Sequence, residues 1–185
     1  MLRFAPRAAG LAAILGLCMS VASADDSMLK VKVGDAFPNI PLTAAQIDKL
    51  PGKKAGDTIS IADLKGKTVV IFFYPKALTK GCTIESCGFR DISKEFPTGA
   101  VLLGASADTV AKQQEFIDKE KLPYPLLADT DLKLIKALGI QSPKGMVPQR
   151  ITFVVDTDGK IAKIYDKVEV GKHPKEVLEF VKDPK

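Results

Sequence analysis

The 185-residue chain carries a formal net charge of +5, 46% hydrophobic and 26% charged residues, the composition of one folded domain rather than a disordered or repetitive chain. Its basic residues are scattered and it contains no Trp, so no aromatic-basic face for nucleic acid is visible. Its cysteines number three: Cys18, Cys82 and Cys87.

The first 24 residues stand apart. Arg3 and Arg7 make a basic start, Gly10–Val21 is an apolar run, and Ala22-Ser23-Ala24 offers small residues before Asp25-Asp26. These are the parts of a secretory signal peptide, with cleavage expected after Ala24. The competing reading is an uncleaved anchor, for which the run is short against the about 20 residues a span needs. Cleavage would leave 25–185 as a single domain with two cysteines. Losing Arg3 and Arg7 leaves 25 basic against 22 acidic residues, a net +3. Export to the periplasm or beyond is expected, with no membrane attachment after cleavage.

Residues 25–66 carry mostly turn signals (Gly34-Asp35, Pro38, Pro41, and 52–57), with a short strand expected at Thr58–Ile61. Val69–Tyr74 is a continuous β-branched and aromatic run that fits a central strand buried on both faces. A helix is expected from Cys82 to Phe96, a second buried strand at Val101–Ala105, and an amphipathic helix over Thr109–Lys121 with Asp108 or Thr109 as N-cap. Then come a short strand at Tyr124–Ala128 and a helix at Asp131–Leu138 closed by Gly139. Ile151–Asp156 and Lys160–Tyr165 flank a Thr157-Asp158-Gly159 turn, a hairpin signal, and Pro174–Lys182 forms a last helix. Strands alternating with helices, then a hairpin and a helix, point to an α/β thioredoxin fold: a central mixed β-sheet with helices on both faces.

Cys82 falls where a loop leaving a buried strand turns into a helix. First-turn N–H groups and the helix dipole favour an anion there, and Lys76 and Lys80 add positive charge. Thr79 can place a hydroxyl near the sulfur. These are conditions for a thiolate nucleophile; the alternative is a structural disulfide with Cys87. On one helix, residues five apart differ by about 140° around the axis and about 7.5 Å along it, so their Cα atoms lie roughly 8–9 Å apart. A disulfide needs less than about 7 Å. Either the helix is broken from the start, or it unwinds when the bond forms.

Pro75-x-x-x-Thr79-x-x-Cys82 resembles the peroxiredoxin active-site pattern. Cys87, followed by Phe89-Arg90-Asp91, resembles the peroxiredoxin Q subfamily, also called bacterioferritin comigratory protein. Arg150–Asp156 with Gly159-Lys160-Ile161 is similar to the family segment that carries its active-site arginine, and Val33–Pro38 is similar to its entry segment. The resemblance implies a thiol-dependent peroxidase acting on hydrogen peroxide and organic hydroperoxides, without cofactor or metal. Cys82 would attack the peroxide and become a sulfenic acid; Thr79, Arg150 and the Cys82 N–H would hold the peroxide, and Pro75 would shape the pocket. Cys87 would form the disulfide, and thioredoxin or a thioredoxin-like protein would reduce it. A monomer is expected.

Two departures from the family pattern stand out: Lys80 occupies a position that is usually proline, and Ser142–Gln149 is shorter than the family loop. From its own surroundings, Arg150 reads equally well as a surface strand residue. His173, the one histidine, reads as a surface or capping residue at a helix start. The alternatives to a peroxidase are an envelope thiol–disulfide oxidoreductase, and a metal-binding thioredoxin-like protein using the cysteines and His173. The first usually carries Cys-x-x-Cys, absent here, and the cysteine spacing does not match the Cys-x-x-x-Cys of the second.

Overall fold

A computed structural model describes Met1 and residues 29–184; the expected leader, apart from Met1, lies outside the described residues. In chain order the elements are β1 (Leu42–Ala45), β2 (Thr58–Ile59), β3 (Val69–Phe73), α1 (Lys80–Ile92), β4 (Val101–Ser106), α2 (Val110–Glu120), β5 (Leu126–Ala128), α3 (Lys133–Leu138), β6 (Ile151–Val155), β7 (Ile161–Tyr165) and α4 (His173–Lys182). The strands form one sheet in the order β2-β1-β5-β4-β3-β6-β7. β3, β4 and β5 pair in parallel, while β6, β7, β1 and β2 join antiparallel. This is the mixed sheet of a thioredoxin fold.

The all-apolar run of β3 follows from burial on both faces. Val69, Ile71 and Phe73 point into one core, shared with Leu134, Ile135 and Leu138 of α3. Val70, Phe72 and Tyr74 point into the other, with Phe89 of α1, Phe116 of α2 and Val177 of α4. Period-two alternation therefore separates two apolar layers rather than core from solvent. β4 passes so close to this second layer that a Cβ on Gly104 would sit 2.5 Å from Leu126 Cδ2 and 2.9 Å from Phe72 Cζ.

Several boundaries differ from the sequence expectation for local reasons. α1 starts at Lys80 and continues after Ile92 only as a 3-10 turn over Ser93–Glu95. The segment after Ile59 leaves the sheet because Ser60 and Asp63 form a reciprocal cap on a 3-10 turn, Ile61–Leu64. α3 begins two residues late: Leu132 adopts φ 58°, and the Asp129 carboxylate accepts from the N–H groups of Lys133 and Ile135, both at 2.8 Å. Thr109 caps α2 through Lys112 N, and Gly139 closes α3 in the left-handed conformation.

Candidate active site

The loop between β3 and α1 is fixed from outside. Ala77 N–H donates to Asp108 Oδ2 at 2.8 Å, and the Ser106 hydroxyl donates to the same oxygen at 2.8 Å. Leu78, next in line, is held at φ 64°, a costly conformation for a non-glycine residue. Thr79 is then the N-cap, extended at φ −92° and ψ 152°, with its carbonyl accepting from Thr83 N at 2.8 Å. Its hydroxyl turns back to donate to the Lys76 carbonyl at 2.9 Å. Pro75 is half-buried, and Lys80 is the exposed first residue of α1.

Cys82 is the third residue of α1 and is 1% exposed. Its backbone N–H is therefore among the first-turn donors that have no partner within the helix. Arg150, immediately before β6, reaches it from the facing strand: Nη2 lies 3.2 Å from Cys82 Sγ. The short Ser142–Gln149 loop places this arginine, since Ser142 N donates to Val147 O at 2.8 Å and Gln149 N to Ile140 O at 2.7 Å. With a side chain one-fifth exposed, Arg150 is not the surface strand residue that was the other reading of it.

The second terminal nitrogen of the guanidinium, Nη1, pairs with the Glu85 carboxylate. Glu85 is fully buried, and burial pushes its pKa up to about 7 against the opposing pull of Arg150. Sequence reasoning passed over this residue. The available signal was its spacing: three residues after Cys82, it lies on the same helical face.

Both cysteines are free, and α1 runs unbroken through both. Of the two alternatives left by the spacing, the helix is intact and the sulfurs are not bonded. Cys87 is half-buried, its Sγ 3.6 Å from Glu120 Oε2 at the end of α2. Burial raises its thiol pKa; Arg90 works against that, and Glu120 and Asp91 add to it.

His173 overturns its expected surface or capping role. It is fully buried at the start of α4, where the N-cap is Lys172 without a side-chain bond. Its Nε2 lies 2.7 Å from Thr152 Oγ1, and Phe89 and Tyr165 pack edge-on against the ring. Burial, reinforced by Arg150, holds its pKa down to about 4. The flanking lysines and proline advertise a surface. The imidazole nevertheless turns inward, because α4 docks on α1 where Gly88 leaves room for Pro174.

The site thus brings a buried cysteine on the first turn of a helix against an arginine from the start of a neighbouring strand. Residues 33–164 match the AhpC/TSA family. The chain belongs to that family. It is 35% identical over 162 residues to peroxiredoxin Bcp of Bacillus subtilis, covering 84% of this chain and 98% of that one. Peroxidoxin BcpB of Mycobacterium tuberculosis superposes with a TM-score of 0.72 at 31% identity, covering 84% of this chain and 99% of that one. The Xanthomonas campestris bacterioferritin comigratory protein, described for its alkyl peroxide reduction activity, gives 0.71 at 27% identity, over 83% and 97%. This peroxiredoxin is of the Q, or bacterioferritin comigratory protein, type and is a thiol-dependent peroxidase.

Proposed function

We propose that this peroxiredoxin reduces hydrogen peroxide and organic hydroperoxides at Cys82 and closes its cycle through a Cys82–Cys87 disulfide. The observation that carries this reading is Arg150 Nη2 at 3.2 Å from the sulfur of a buried cysteine on the first turn of α1. The Cys82 thiolate attacks one peroxide oxygen; the S–O bond forms as the O–O bond breaks. Negative charge moves onto the leaving oxygen, which takes a proton and departs as water or an alcohol. Arg150 and the Cys82 N–H are the donors that hold the peroxide and stabilise that charge, and the Thr79 hydroxyl, whose proton goes to the Lys76 carbonyl, offers its oxygen as an acceptor to the peroxide O–H. Pro75 closes the pocket from the strand side. Cys87 converts the sulfenic acid to a disulfide, which thioredoxin or a thioredoxin-like dithiol reduces.

The reduced 25–185 chain, given hydrogen peroxide and a dithiol, is expected to consume peroxide catalytically. Cys82→Ser abolishes this, and with the dithiol left out Cys87→Ser consumes one equivalent of peroxide and stops at the sulfenic acid. Equal peroxide loss in wild type and Cys82→Ser would overturn the assignment.

The chain acts outside the cytoplasm, a reading supported by Arg3, Arg7, the Gly10–Val21 run and Ala22-Ser23-Ala24. N-terminal sequencing of the protein from a bacterial envelope fraction is expected to begin at Asp25. Recovery of the uncleaved chain from the cytoplasm would refute export.

A further inference from the structure

The middle of α1 is tied to the end of α2 and the segment after it at three points, all around Cys87. The Cys87 thiol lies 3.6 Å from Glu120 Oε2. Arg90, one turn further on, donates to the backbone carbonyl of the same Glu120 at 2.7 Å. That carbonyl is one of the last in α2, where the helix leaves acceptors without partners and a cation is favourable. The Tyr124 hydroxyl donates to the Ser86 carbonyl at 2.6 Å. Arg90 thus fixes the residue whose carboxylate receives the thiol, and Tyr124 fixes the backbone beside it.

We propose that Glu120 is a positioning residue of the resolving step: it holds Cys87 as a thiol on the folded helix, so that release from α2 is the first event of disulfide formation. The proposal rests on the peroxidase reading given above. The step it controls converts Cys82 S–OH and Cys87 S–H into an S–S bond and water. The S–O and S–H bonds break, the Cys87 sulfur is oxidised as the Cys82 sulfur is reduced, and the thiol proton leaves with the departing hydroxide. No outside oxidant is required.

Two consequences follow. The helix cannot open between the cysteines until the thiol leaves the Glu120 carboxylate and Ser86 leaves Tyr124. Attack also requires the thiolate. The folded helix is the resting state, so the pH at which the resolving rate stops rising is set by Cys87 in place on α1. The charged groups facing it there are Arg90 and Asp91 from α1 and Glu120 from α2. Arg90 favours the thiolate; both carboxylates oppose it, as does burial.

The test is Glu120→Gln, which keeps an acceptor of the same shape and removes the charge. After rapid mixing of the reduced protein with peroxide, the peroxide-dependent phase reads Cys82 and confirms folded, reactive protein. The later, peroxide-independent phase reads disulfide formation. Near neutral pH that later phase is expected to be about threefold to tenfold faster than in wild type, the effect of one weakened hydrogen bond. Its pH break moves down. In a Cys82→Ser background, thiolate absorbance titrates Cys87 directly, and Glu120→Gln is expected to lower its pKa. A slower resolving phase, or one changed by less than about twofold with an unmoved Cys87 titration, would overturn the proposal. Wild-type protein whose Cys82 oxidises without any disulfide appearing would instead overturn the assignment of Cys87, while the titration still reports on Glu120.

Discussion

Glu85 and His173 are both fully buried and both feel Arg150, yet they pull the pH dependence of stability in opposite directions. The Glu85 pKa is raised from 4.5 to about 7, so the native state holds its proton more tightly than the unfolded chain does. Its contribution is present in full below 4.5 and is lost as pH rises through about 7. By linkage that shift is worth about 3 kcal/mol. The His173 pKa is lowered from 6.5 to about 4, so its contribution is present above 6.5 and is lost as pH falls through about 4, again about 3 kcal/mol. Between 4.5 and 6.5 the two slopes nearly cancel in wild type. Glu85→Gln removes one of them. Relative to wild type, the variant is expected to gain about 2–3 kcal/mol of stability as pH rises across that range. His173→Gln is expected to shift by a similar amount in the opposite sense. Urea unfolding followed by far-ultraviolet circular dichroism under reducing conditions measures both, and comparing slopes removes any constant cost of the substitutions. A Glu85→Gln profile parallel to that of wild type throughout would refute the assignment of buried, near-neutral titration to Glu85.

Arg150→Leu removes the donor at Cys82 and the partner of Glu85. The second-order rate of Cys82 oxidation is expected to fall about 100- to 1,000-fold, and a loss under about tenfold would show the guanidinium to be incidental. Tyr124→Phe deletes the hydroxyl bound to the Ser86 carbonyl; stability is expected to drop by about 1 kcal/mol with several-fold faster disulfide formation, readable by unfolding and by rapid mixing. Lys80→Pro restores the residue usual in the family at the first position of α1. Thr79, at φ −92° and ψ 152°, already has the conformation that a following proline requires. Stabilisation of about 0.4–1 kcal/mol is expected, and destabilisation would mean that the Lys80 N–H or side chain has a role of its own.

How far the sequence could be read depended on whether neighbours in the chain are also neighbours in space. The run at β3 announces itself because burial on both faces demands unbroken apolar residues. β1 does not: it has four residues, is followed at once by Gln46 at φ 58°, and is a strand because it lies beside β5, some eighty positions away. Thr79 and Cys82 could be placed from local spacing alone, and Arg150 through the strand that follows it. Glu85 was within reach of the same helical argument. His173 was not, since its burial depends on α4 meeting α1 at a glycine. The hold of Glu120 and Tyr124 on Cys87 is equally long-range and leaves no local signal.

The contact of Gly88 with Pro174 has a further consequence for the redox cycle. A Cβ at Gly88 would lie 2.8 Å from Pro174 Cγ, and Phe89 and Ile92 just beyond it are buried. The last turns of α1 are thus docked on α4 independently of the turns that separate the cysteines. Starting a helix from coil is unfavourable by a factor of about a thousand, whereas extending one is close to neutral. Once the disulfide is reduced, the opened segment can be added back residue by residue onto a template that never left the surface of α4. The cycle then opens and closes one end of a standing helix, and the rare event of starting a new one is not repeated at each turnover.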